Sequence, residues 1–146
     1  MNNKPNQKSF KASFPASLDH LSQLREFLYS IIKGEGLNFN EEETLQILLA
    51  VDEAFTNSVK HGYSGDQTQR IDIQIKITKH NLIITVIDKG KGFTPKKLQK
   101  EDIVKHVKKL KPGGLGLYLI QNVMDKVEFS INPGKKNAIK MIKKLS

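Results

Sequence analysis

Apolar residues change their spacing along this chain, and the changes divide it into elements. Residues 8–15 alternate loosely and end at Pro15, the pattern of a short edge strand. Ser17 then caps a helical pattern with Leu18, Leu21, Leu24, Leu28 and Ile31 or Ile32 inward, stopped by Gly34 and Gly36. Asn40 before Glu41, Glu42 and Glu43 is a strong helix start, because acidic side chains suit the unpaired amides of a first turn. This second helix runs to about His61 and ends at Gly62, with Leu48, Val51, Phe55 and Val59 on its apolar face. RIDIQIKIT sets Ile71, Ile73, Ile75 and Ile77 against polar neighbours and is the clearest strand. A short KHN turn leads into LIITVID, apolar enough for a central strand, and the two pair as an antiparallel hairpin. GGLGLYLIQNVMD opens on glycines and becomes a helix with Leu117, Ile120 and Met124 inward. KVEFSIN and NAIKMIKKL form a terminal strand pair around Pro133 and Gly134.

The order β-α-α-β-β-α-β-β predicts a two-layer α/β (α+β) sandwich, a mostly antiparallel mixed sheet with helices on one face. No repeat or linker interrupts it, so residues 1–8 are read as a flexible N-terminus and 9–146 as a single domain. A chain of 146 residues is long enough to bury a real core.

Composition changes this picture little. Hydrophobic residues make up 38% and charged residues 27%, ordinary values for a soluble globular protein. No apolar run is long enough to cross a bilayer, and MNNKPNQKSF lacks the apolar stretch of a signal peptide. The reading is therefore cytoplasmic, with no membrane partner. The absence of cysteine excludes disulfides, a thiolate nucleophile and a zinc ribbon. Charge adds more: residues 1–75 carry −3 and residues 76–146 carry +12 of the net +9. Many of the lysines crowd between Lys89 and Lys111, where residues 96–109 show poor amphipathicity and read as a mobile segment. Such asymmetry points to an anionic partner: nucleic acid, an acidic protein surface or a polyphosphate.

Three motifs carry candidate chemistry. In VDEAFTNSVKHGY, Glu53, Asn57 and His61 recur every fourth residue and stack on one helix face beside Ala50 and Ala54. On spacing alone that stripe is a solvated surface, since charged and amide residues mostly face water. Asp88, Gly90, Gly92 and Phe93 form Asp-x-Gly-x-Gly-Phe at a strand end, where glycine lets a ligand approach the backbone closely. An Asp fixed there can accept a hydrogen bond from an exocyclic amine such as adenine's, although Asp-x-Gly alone is more often a capped turn. Pro112, Gly113, Gly114, Leu115, Gly116 and Leu117 sit at a helix start, where free amides bind phosphate oxygens. This is neither a Walker A loop nor a dinucleotide fingerprint. Each box is weak alone, and the ordered set is specific.

That set resembles the nucleotide-binding fold of gyrase, the MutL proteins and bacterial histidine kinases, the GHKL or Bergerat ATPases. Within it the chain is most similar to the anti-sigma factor serine-protein kinases of the RsbW type, from about Ser9 to the C-terminus. The chain leaves no room for the helical dimerisation domain of a histidine kinase or the transducer domains of the larger ATPases. The resemblance implies that ATP and Mg²⁺ are bound. It makes Glu53 the catalytic general base and Asn57 the Mg²⁺ ligand, an assignment that suits a hard amide oxygen beside a carboxylate. Lys60 would reach phosphate, and His61 would line the phosphate site or cap the helix. Asp88, Gly90, Gly92, Phe93, Lys111, Gly113, Gly114, Leu115, Gly116 and Leu117 complete the nucleotide site, and Lys96–Lys111 falls where the family folds a lid. One departure stands out: some members carry an Arg ahead of the second glycine box, where this chain has Pro112 with Lys111 beside it. Lysine lacks the bidentate fork.

The function implied is an anti-sigma factor that is also an ATP-dependent serine kinase. It would bind a sigma factor of RNA polymerase and phosphorylate a STAS-type anti-sigma factor antagonist. A homodimer follows from the resemblance only. Two alternatives stand beside it. One is an ATP-binding partner-switching module without useful transfer, which Pro112 keeps open. The other is a basic nucleic-acid-binding protein, for which the basic half lacks interleaved aromatics or a reading motif; no direct nucleic-acid partner is therefore expected.

Overall fold

The structure is a computed structural model that describes residues 7–62, 68–90 and 120–145. Strand β1 (Lys8–Pro15) leads through a 3-10 turn (Leu18–His20) into helix α1 (Leu21–Gly34). Helix α2 (Glu41–Asn57) continues into a π-helical turn (Ser58–Gly62). Strands β2 (Arg70–Ile77) and β3 (Asn81–Asp88) follow, and β4 (Lys126–Asn132) and β5 (Lys136–Lys144) close the chain. The sheet order is β1-β2-β3-β5-β4, which puts the apolar LIITVID strand at its centre. Where a mixed, mostly antiparallel sheet is expected, every pairing among the described strands is antiparallel.

Local chemistry explains the helix ends. The Ser17 hydroxyl accepts a hydrogen bond from the Asp19 N–H at 3.2 Å, so Ser17 caps as its position predicts. What it caps is a 3-10 turn rather than the α-helix itself. Leu18 is 40% exposed, against the expectation, while Leu24, Leu28, Ile31 and Ile32 are buried. Helix α1 stops at Gly34. Gly36 then turns the chain at φ 63, a region open to glycine, and the Leu37 N–H reaches back to the Ile32 carbonyl. Asn40 and Glu43 form a reciprocal capping box at the start of α2. Lys33 at the end of α1 meets Glu41 at 2.6 Å across the connection.

The helices cover one face of the sheet. Ile71, Ile73, Ile75, Leu82, Ile84 and Met141 are buried on that face against Leu24, Leu28, Ile32, Ile47 and Phe55. Phe55 meets Phe14 of β1 edge-on, with ring centroids 6.4 Å apart. Ile120 and Met124 are buried in the same core, as their spacing predicts.

Candidate active site

Helix α2 brings the first motif to the inner surface. Ala50 and Ala54 are fully buried, and Val51, Phe55 and Val59 anchor the helix in the core. Glu53 is half-buried and has no hydrogen bond or ion pair among the described residues. One turn on, Asn57 is only 4% exposed, and its Nδ2 is buried without a partner. A solvated stripe would expose both, so the bland reading of this face fails. An amide buried unpaired is destabilising, which is why such groups mark ligand sites rather than random surfaces.

The helix changes pitch immediately after Asn57. Ser58–Gly62 is π-helical, a wider turn that appears often at functional sites. Glu53 and Asn57 share a face as the four-residue spacing predicts, and His61 belongs to the wider turn that follows. Lys60 is exposed on the turn. The π turn packs against β3, so the end of α2 and the strand that ends at Asp88 belong to one packed unit.

Asp88 closes β3 and is 5% exposed. Its Oδ1 accepts two hydrogen bonds of 2.9 Å, from the Gly90 N–H and from Asn137 Nδ2. Asn137 spends its second amide hydrogen on the Gly90 carbonyl, also at 2.9 Å, and its Oδ1 accepts from the Asn132 N–H at 3.0 Å. The Gly134 N–H, in a turn at φ 77, donates to the same Gly90 carbonyl at 2.7 Å. The β4–β5 hairpin thus grips the Asp-x-Gly turn. The capped-turn reading is realised, but it uses Oδ1 alone. Oδ2 has no bond among the described residues and is the atom that a base amine can address.

Sequence reasoning did not select Asn137. The available signal was an amide at an inward position of NAIKMIKKL, where Ile139 and Met141 are core residues. It also passed over Asp52, which is 6% exposed beside Glu53. Arg25 of α1 holds Asp52 Oδ2 through Nε at 2.6 Å and Nη2 at 2.5 Å, while Oδ1 is buried without a partner. Burial pushes the Asp52 carboxyl above the usual carboxylate range, and the Arg25 hydrogen bond and charge pull it partly back. The Ser58 hydroxyl is the third buried, unpaired side-chain group of this helix end. Gly92, Phe93, Lys111, Gly113, Gly114, Leu115, Gly116 and Leu117, the side chain of His61, and the Lys96–Lys111 segment lie outside the described residues.

A two-layer sandwich with a buried, clamped carboxylate at the end of its central strand and an unpaired buried amide on the adjoining helix has the fold of a known class. The family model of the histidine kinase-like ATPase domain matches residues 14–143, and the chain belongs to that family. Similar proteins narrow the class. The serine-protein kinase RsbW of Staphylococcus aureus is 35% identical over 125 residues, 82% of this chain and 77% of the relative. That of Bacillus licheniformis is 35% identical over 124 residues, 82% of this chain and 76% of the relative. That of Listeria monocytogenes is 33% identical, again over 82% of this chain and with 78% of the relative covered. Within the ATPases, then, the chain is a member of the RsbW serine-protein kinases. A crystal structure of the RsbU and RsbW domains of Rv1364c from Mycobacterium tuberculosis has the same fold. Its TM-score is 0.66 at 15% identity, over 94% of this chain and 32% of that longer one. Among the described residues no helix is long and apolar enough to cross a membrane.

Proposed function

We propose that this protein is a cytoplasmic anti-sigma factor that uses Mg-ATP to phosphorylate a serine of a STAS-type antagonist. The observation that carries the reading is Asn57, an amide buried without a partner for Nδ2, one turn after a half-buried carboxylate. A half-turn of the amide exchanges Nδ2 for Oδ1, so the group fits a metal as well as a donor. Among the described residues no cluster of three acidic or histidine side chains offers a metal cage. A single amide ligand with phosphate oxygens and water suits Mg²⁺ instead. When bound, Mg²⁺ neutralises phosphate charge and aligns the transferred group.

The chain's own residues divide the work. Asp88 Oδ2 receives the adenine amine, with Asn137 holding the carboxylate still. Glu53 orients the incoming serine and takes its hydroxyl proton as the oxygen bonds to the γ-phosphorus and ADP departs. Lys60, His61, Lys111 and the amides of the Gly113–Leu117 box serve the phosphates, with Gly90, Gly92 and Phe93 around the base. Phosphorylation adds charge to the antagonist and weakens its hold, so the sigma factor and the antagonist compete for the kinase, which acts as a homodimer.

Incubation with labelled ATP, Mg²⁺ and STAS proteins of the same genome tests the reading. Label on an antagonist serine is expected, with sigma factor released as unmodified antagonist is added. Binding of both partners without label would instead favour the partner-switching module that Pro112 allows.

A further inference from the structure

Ser58, at the end of α2, is fully buried, and its hydroxyl has no hydrogen-bond partner. A serine in a helix ordinarily returns its hydroxyl to a carbonyl one turn back or turns it to water. Ser58 does neither. Its N–H reaches the Ala54 and Phe55 carbonyls while Oγ stays unbonded. A buried hydroxyl without a bond is destabilising, and no protein group relieves it here.

The fold shows what lies opposite. Ile47, Val51 and Ala54 precede Ser58 at helical spacing and are fully buried, so this stripe of α2 faces the sheet. On β3 the side chains turned toward the helices are Leu82, Ile84, Val86 and Asp88. Register fixes which end of the sheet is involved. Phe14 pairs with Ile71, Asp72 with Ile87, and Asp88 with Asn137, so Phe14 and Asp88 belong to the same end. Phe55, three residues before Ser58, packs edge-on against Phe14. From there Ser58 opens the π turn, which packs against β3. The hydroxyl thus stands on the helix side, and the Asp88 carboxylate on the sheet side, of one interlayer space. Asn57 and Ser58 are successive residues whose side chains diverge by about 100°, so they serve different parts of one ligand.

We propose that Ser58 is a base-recognising residue of the nucleotide site, its hydroxyl donating to the purine ring nitrogen beside the amine that Asp88 Oδ2 accepts. This rests on the ATP reading and adds the group that reads a second atom of the base. Adenine offers an amine hydrogen next to an acceptor nitrogen, and a carboxylate acceptor beside a hydroxyl donor is its complement. A 6-oxo purine would set a carbonyl oxygen against the Asp88 carboxylate. The hydroxyl reaches the ring nitrogen directly or across one water.

The test is calorimetry of the full chain, wild type and Ser58→Ala, with ATP, ADP, 1-deaza-ATP and 7-deaza-ATP. Ser58→Ala should weaken ATP and ADP alike by about three- to tenfold, the worth of one hydrogen bond, and leave the Mg²⁺ dependence as it was. Wild type should bind one of the two deaza analogues more weakly than ATP by a similar factor. Ser58→Ala should bind that analogue and ATP equally, which a merely structural role would not produce. Its melting temperature without nucleotide should stay level or rise, because the lost hydroxyl had no bond. Ser58→Cys keeps the size with a weaker donor and serves if the alanine variant does not fold; an intermediate loss is expected from it. Wild-type ATP affinity in these variants, the same order among the nucleotides as in wild type, or a loss confined to the Mg²⁺-dependent part would overturn the proposal. A wild type that binds no ATP would overturn the nucleotide reading itself, and this proposal with it.

Discussion

Asn137 and Asp88 are register partners on adjacent strands, and the amide of one is bonded at 2.9 Å to the carboxylate of the other. Both side chains point to the helix-covered face, where an apolar pair is the usual occupant. The pair instead fixes which oxygen of Asp88 is engaged and ties the Asp-x-Gly turn to the hairpin before β5. Position and hydrogen bonding of Asp88 thus depend on a residue 49 positions away.

Asn137→Ala should therefore act on stability and on nucleotide affinity together. It strips the Gly90 carbonyl and Asp88 Oδ1 of one bond each and leaves the Asn132 N–H without its acceptor. A loss of about 1–3 kcal/mol is expected for buried groups left short of partners. Urea denaturation measures the first effect and calorimetry with ATP the second. A variant that loses stability but binds ATP as the wild type does would remove Asn137 from the site.

Asn57→Ala should behave in the opposite way. The wild-type amide is buried with Nδ2 unpaired, so its removal is expected to leave the unliganded protein at least as stable, despite the small cavity. The dependence of ATP affinity on Mg²⁺ should disappear. Thermal melting and calorimetry with and without Mg²⁺ check both halves. Wild-type magnesium dependence would mean that another group holds the metal.

Glu53→Gln keeps size and shape but cannot take a proton. Nucleotide and partner binding should persist while transfer to the antagonist falls by about 10²–10⁴-fold, the usual contribution of a general base. Single-turnover transfer from labelled ATP reads this directly. An unchanged rate assigns the proton to another carboxylate.

Asp52 gives the protein a pH dependence of predictable sign. Its pKa in the folded chain lies above the ordinary 3.8. Between those two values the native state holds a proton that the unfolded chain has released, so raising the pH through the window lowers stability. The contribution is fully present below 3.8 and gone above the folded pKa. Denaturation of wild type and Asp52→Asn from acid to neutral pH should show this downward slope in the wild type only. Arg25→Ala removes the charge that pulls the pKa back, so it should carry the slope to higher pH. Parallel curves for all three proteins would contradict the assignment.

Much of the architecture was legible because its signals are local. Alternating isoleucines define β2, the three glutamates after Asn40 announce a capped helix, and the apolar run of β3 marks the central strand. Glu53 and Asn57 share a face because an α-helix repeats every 3.6 residues, whatever surrounds it. The ordered boxes also sufficed to indicate the family to which the chain belongs. Other features answer to tertiary contacts. The 3-10 turn at Leu18–His20 and the π turn at Ser58–Gly62 are local deviations that periodicity does not encode. Burial of Asn57 and Asp52 depends on what packs over α2. The Asn137 clamp exists only once β5 is registered beside β3. Spacing along the chain determined which side chains could share a face, and strand register with layer packing decided which of them lost their water and which found a partner.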